Sequence, residues 1–455
     1  MPSDNPYVVS EDSILDPPVS FMARLKHLGP GLILSASIVG SGELMATTIF
    51  GATAGFVALW VILLSCLVKV TVQLEFGKHA IHSGESTMAS FNKLPGPKFG
   101  KASWAVWIWL VLMTTKNLQL GGIIGGVVGI VLHMIGQEGT FALNAGISTA
   151  VAVSVSLMIY RGRYQFIERI AVVLIAVFTV FTFASLISTA STEYAFSMAD
   201  VGSGFTFTLP SAVILAAVGA FGITGVGGDE IMAYNYWLIE KGYAAYSGPR
   251  KNTPEWIARA KGWIRVMYLD ALLSMVVYTV MTCAFYLLGA AVLHDSKDLM
   301  YEKDLIGELS KMYTNTLGPG ARYAFLAGAF VVLYSTLFAA LAAWTRQFSD
   351  AFSQIGWINF MDNKSRGRSI AALAWGLPTF WTILFLSLKQ IGLMVIIGGV
   401  ITSVILLLVV YAAIHFRYKR LPTELKPSRF YDVCLWLSIA SIVSAGIVSI
   451  WKALQ

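Results

Sequence analysis

The chain has 455 residues, 56% of them hydrophobic and 13% charged, with a formal net charge of +7. A soluble globular protein carries about 25% charged residues, so this composition excludes a water-soluble enzyme or nucleic-acid-binding domain. Apolar runs of about 18 residues or more recur along the chain, each long enough to cross a bilayer as a helix, and they lack the period-two alternation of a membrane barrel.

Residues 1–20 are polar, with Asp4, Glu11, Asp12 and Asp16. A signal peptide would begin basic and turn apolar at once; this segment does neither and is expected as a disordered cytoplasmic tail. Eleven spans are expected after it, near 29–55, 57–77, 104–134, 142–160, 166–190, 209–239, 264–292, 323–345, 369–388, 390–414 and 431–450. With the N-terminus inside, most of the 32 lysines and arginines fall in cytoplasmic segments. Lys297, Lys303, Lys311, Arg322, Lys389 and Lys452 fall outside. That is the positive-inside pattern, and it explains the basic charge without nucleic acid. Trp104, Trp107, Trp109 and Trp436 suit an aromatic belt. Cys66, Cys283 and Cys434 lie inside apolar runs and are expected as free thiols rather than a disulfide framework.

Two spans are interrupted in the same way. The first holds Gly40-Ser41-Gly42-Glu43, and the sixth holds Thr224-Gly225-Val226-Gly227-Gly228-Asp229-Glu230. Glycine costs about 1 kcal/mol in a helix interior, and an acid in hydrocarbon costs ~2.5–3.5 kcal/mol, so a merely structural helix is not expected to carry both. Paired breaks at matching places in two halves point to a carrier of inverted-repeat design. Its halves are residues 21–190 (helices 1–5) and 209–415 (helices 6–10), with a loop and helix 11 over 416–455. The substrate is expected between the two breaks, against the residues just named. Lys116 and Gln119, one turn apart in the third span, and Asp270 in the seventh are candidates for ion coupling or proton relay. The plainer alternatives are a helix cap for Glu43 and for one of Asp229 and Glu230, and a salt bridge from Asp270 to Arg265. Lys69, with Gln73 and Glu75, is expected near the cytoplasmic end of the second span. The glycine-rich stretch 121–129 reads as a close-packing helix face.

Several segments resemble the Nramp family of divalent-metal transporters, in the family's order. They are Gly29-Pro30-Gly31, then Gly51-Ala52-Thr53-Ala54-Gly55-Phe56 with Leu59-Trp60-Val61, then Arg163 to Ile170 with Glu168-Arg169-Ile170, and Asp270. The resemblance implies an all-α membrane protein of LeuT-like fold, a 5+5 inverted repeat with discontinuous helices 1 and 6 and about eleven transmembrane helices. The family's metal-ligand motifs are altered. Gly40-Ser41-Gly42-Glu43 stands where the family has Asp-Pro-Gly-Asn, and Val226-Gly227-Gly228 where it has Met-Pro-His. Lys116 and Gln119 replace two proton-path carboxylates, and Gly398 a frequent glutamine.

Two substrate classes follow. Small residues at both breaks imply a wide pocket, which suits a larger organic solute, with Lys116 there to attract an anionic group; this is the preferred expectation. The alternative is a largely hydrated divalent cation, Mg²⁺ or Mn²⁺, held by Glu43 and Asp229, since Mg²⁺ needs one or two carboxylates. Either way the expectation is a secondary-active, alternating-access carrier, with or without proton coupling. It is expected to be monomeric, multi-pass in the cell membrane with the N-terminus cytoplasmic, without enzymatic activity, cofactor or nucleic-acid partner.

Overall fold

In the computed structural model, residues 5–31, 40, 42–161, 164–294 and 299–453 are described, with backbone alone for 164–174 and 452–453. Most of the first half of span 1, Ser41, Arg163 and the side chains of Glu168, Arg169 and Ile170 therefore lie outside the described residues. The spans are helices. In the first half they are α1 (Thr48–Ala54), α2 (Leu59–Ser83), α3 (Trp104–Ile135), α4 (Phe141–Tyr160) and α5 (Tyr164–Ser188). The sixth span is two helices, α6 (Ile214–Ile223) and α7 (Gly228–Glu240). Then come α8 (Pro254–Val292), a short α9 (Leu305–Leu317), α10 (Ala321–Ile355), α11 (Asn363–Leu388), α12 (Ile391–His415) and α13 (Arg429–Ala453).

Local sequence sets many of the ends. Thr253 precedes Pro254 and its hydroxyl accepts from the Trp256 amide, so α8 begins with a side-chain cap and a proline in its first turn. Gly84 and Gly136, at φ +67° and +64°, close α2 and α3 in the left-handed conformation that glycine adopts without strain. Among the described residues, nine helical stretches are long and apolar enough to cross a membrane, and Ile175–Ser191, the last part of α5 with the 3-10 turn after it, is a shorter apolar one. Large apolar side chains such as Val180, Ile187, Phe430 and Leu437 face outward, as a lipid-solvated bundle requires.

Glycine lets the central helices touch backbone to backbone. A Cβ on Gly222 of α6 would lie 1.9 Å from the Gly399 carbonyl of α12, and one on Gly399 would lie 2.1 Å from the Gly219 carbonyl. In α3, a Cβ on Gly126 would meet Met45 Cε at 2.2 Å and one on Gly125 the Phe385 ring at 2.6 Å, so stretch 121–129 is a packing face. The Gly399 carbonyl that faces Gly222 cannot retreat without moving α12. Gly222→Ala is therefore expected to destabilise by at least the ~1–3 kcal/mol typical of overpacking, read as lost monodispersity and a lower unfolding temperature in detergent.

Two expectations are corrected here. Residues 5–20, part of the 1–20 segment expected to be disordered, are packed along one end of the bundle. Buried Tyr7 donates to Glu240 Oε1 at 2.7 Å and meets the Phe360 ring at 4.8 Å. Trp263 Nε1 donates to the Leu15 carbonyl at 2.9 Å, and Pro17 seats on Gly262. A polar composition concealed these few apolar anchors. Trp109, assigned to an aromatic belt, is fully buried against Phe348.

Candidate functional site

The sixth span breaks where its glycines cluster. After Ile223 the chain turns extended at Thr224 (φ −64°, ψ 144°), and Gly225 sits at φ +64°, open to glycine and strained for other residues. The backbone amide of Gly227 donates to Glu230 Oε2 at 2.7 Å, so Glu230 closes the first turn of α7 and fills the capping role expected of one of the adjacent acids. In the first span, Gly40 lies in a turn and Gly42–Thr47 form a wide π-type turn leading into α1, a feature frequent at functional sites. A Cβ on Gly42 would meet Ile223 Cγ2 at 2.8 Å. The start of one half-helix thus abuts the end of the other.

A cavity of about 50 Å³ lies at this meeting point. Gly42, Gly227, Asp229 and Glu230 line it together with Lys116 and Gln119 of α3. Lys116 forms a buried ion pair with Asp229 Oδ1. Asp229 Oδ2 accepts from Trp344 Nε1 of α10 at 3.0 Å, and the Asp229 carbonyl accepts from Gln347 Nε2 at 2.9 Å. Gln119 Oε1 is buried without a hydrogen bond among the described residues. Small residues do line both breaks, yet Trp344, Trp237 and Ile223 occupy the space they leave. The wide pocket expected from glycine content is not formed.

The other singled-out residues sit behind this cavity. Gly40, Glu43, Thr224, Gly225, Val226 and Gly228 do not line it, and Ser41 lies outside the described residues. Glu43 is buried on the α8 side, where Oε1 accepts from Thr282 Oγ1 at 2.8 Å and Oε2 makes no hydrogen bond among the described residues. Asp270 accepts from the Gly29 amide at 3.0 Å, the Gly31 amide at 2.5 Å and Tyr234 Oη at 3.0 Å. It thus caps the start of the first span from across the bundle rather than pairing with Arg265. Gly398 holds α12 against α3, since a Cβ there would meet Gln119 Cβ at 2.3 Å.

Sequence reasoning misplaced Lys69. Far from approaching a membrane surface, it is fully buried and its ammonium caps the end of α6, bonded to the Phe221, Gly222 and Thr224 carbonyls. The available signal was its place in α2 four residues after Ser65, on the same helix face. Ser65 Oγ lies 3.0 Å from two of those same carbonyls.

Among the described residues, no group of three or more His, Cys, Asp or Glu is arranged to hold a metal ion. The chain resembles other proteins over its whole length. A manganese transporter of Eremococcus coleocola, in a mutant form, superposes with a TM-score of 0.68 at 15% identity, covering 97% of this chain and 91% of that one. The nucleobase-cation-symport-1 family transporter Mhp1 superposes with a TM-score of 0.57 at 13% identity, covering 99% and 94%. These similarities show the fold, a LeuT-like 5+5 inverted repeat. An uncharacterized protein of Pasteurella multocida is 21% identical over 71% of this chain and 70% of its own length. The divalent metal cation transporter MntH of Mycobacterium leprae is 25% identical over 58% of this chain and 57% of its own length, so the chain spans little more than half of that relative. The model of the natural resistance-associated macrophage protein-like family matches residues 31–452. The chain, with this fold and this match, belongs to the Nramp family of membrane transporters.

Proposed function

We propose that the chain carries a divalent metal cation, Mg²⁺ or Mn²⁺, by alternating access around the cavity between the two helix breaks. The observation that carries this reading is the lining and size of the cavity. Its lining brings two acidic side chains, Asp229 and Glu230, to one ammonium, Lys116, an oxygen donor set that suits a cation better than an anion. One water needs roughly 10–15 Å³ of such space, so about 50 Å³ admits an ion with a few waters and is small for an organic solute. The larger solute first expected gives way to its alternative for this reason. The named relatives, MntH and the manganese transporter, support the same class.

The donors are hard. Asp229, Glu230 and the amide oxygen of Gln119 offer carboxylate and carbonyl oxygen, and no methionine lines the cavity among the described residues. Carboxylate, carbonyl and water suit Mg²⁺ and Mn²⁺, whereas thioether sulfur selects softer ions. Glu43 lies outside the lining and would act on the ion through the field rather than by ligation. A cation entering the cavity takes Asp229 from Lys116, which makes Lys116 the competitor built into the site. The orientation that suits this carrier is multi-pass in the cell membrane with the N-terminus cytoplasmic. Titration calorimetry on purified protein is expected to show saturable binding of both Mg²⁺ and Mn²⁺, with dissociation constants within about tenfold of each other, since no soft ligand separates them. Binding of neither ion would overturn the reading.

A further inference from the structure

The oxygen cluster at the end of α6 has a use beyond the transport site. The last four carbonyls of a helix have no partner within it, and the C-terminus carries about half a negative charge. At the broken helices of membrane carriers, such ends coordinate dissolved cations. At the end of α6 the Phe221, Gly222 and Thr224 carbonyls converge on one point inside the bundle, and the Ser65 hydroxyl braces two of them at 3.0 Å and lies 2.9 Å from Thr224 Oγ1. The point is occupied by Lys69 Nζ, with contacts of 3.2 Å to Gly222 O and 2.8 Å to Thr224 O and a shorter one to Phe221 O. Lys69 is 0% exposed and forms no salt bridge among the described residues. Its partners are neutral oxygens, the donor set of a monovalent cation rather than of a divalent one. Lys69 does not line the transport cavity.

We infer that the carbonyl oxygens at the end of α6 form a monovalent-cation site, which this chain fills with its own Lys69 ammonium. The charge at the break is then balanced by a tethered group, and the fold needs no dissolved Na⁺ or K⁺ there.

The test uses thermal unfolding of the full-length protein in detergent at constant ionic strength, so its outcome is independent of the transported substrate. Wild type is expected to unfold at one temperature in choline, Na⁺ or K⁺. Lys69→Ala opens the site. It should unfold several degrees lower in choline and recover saturably, by about 2 °C or more, with K⁺ or with propylammonium, which supplies the atoms the substitution removes. Lys69→Met fills the space with an apolar chain and should respond to no cation. The inference is overturned if Lys69→Ala responds to none of these cations, or if wild type or Lys69→Met responds as strongly. Failure to recover folded Lys69→Ala even when it is purified throughout in propylammonium would overturn it as well, because an exchangeable site must accept a free amine.

Discussion

Asp229→Asn is expected to abolish divalent-cation binding and to destabilise the protein together. Asp229 joins α7 to α3 through Lys116 and to α10 through Trp344 Nε1 and Gln347. Removing its charge leaves the Lys116 ammonium buried without its carboxylate, a change that typically costs about 3–5 kcal/mol. It also removes from the lining the carboxylate that a cation would take from Lys116. Cation affinity should fall at least 100-fold, and the unfolding temperature should fall with it. The double variant Lys116→Met/Asp229→Asn separates the two effects. It removes the unpaired charge and should regain much of the stability while still binding no cation. A single variant that kept wild-type affinity would show that Asp229 serves only as an ion-pair partner.

Lys116→Met is expected to act in the opposite direction on affinity. Even once displaced to about 10 Å from a bound divalent ion, the Lys116 charge, at an effective dielectric near 20, opposes binding by ~3 kcal/mol, or roughly 100-fold. In the structure Lys116 holds Asp229 directly, so its removal also frees a ligand. Binding of Mg²⁺ and Mn²⁺ should tighten by about that factor, and added cation should raise the unfolding temperature more than in wild type. Turnover need not follow, because an ion held too firmly leaves slowly. Unchanged affinity in this variant would mean that the ammonium does not compete for the site.

The breaks were legible in the sequence because glycine and acid are both costly in a membrane helix, and their coincidence at Gly225, Gly227 and Asp229 admits few structural explanations. Asp229 and Glu230 stand out in the sequence as substrate residues and Lys116 and Gln119 as coupling residues, and the structure brings all four to one cavity. What failed was everything set by which way a side chain points. Glu43 follows a glycine pair like its counterparts, yet the π-type turn over Gly42–Thr47 rotates it onto Thr282. Pocket size failed for a related reason, since glycine count describes what one helix omits and not what Trp344 on another inserts. Lys69 was misread because a buried lysine without a carboxylate looks like a membrane-surface residue until the carbonyls of a broken helix are seen to be its partners. Tyr7 and Pro17 show the same limit at the N-terminus, where two apolar residues anchor a segment whose composition reads as tail.

The central claim is that the cavity between the Gly42 turn, α3, α7 and α10 is a divalent-cation site centred on Asp229. Uptake of Mn²⁺ into proteoliposomes, measured with and without a Mg²⁺ excess for wild type and Asp229→Asn, tests it most directly. The structure leads us to expect saturable Mn²⁺ uptake by wild type, inhibited by Mg²⁺ and absent in Asp229→Asn. No uptake of either ion by a folded wild-type protein, or equal uptake by the variant, would contradict it.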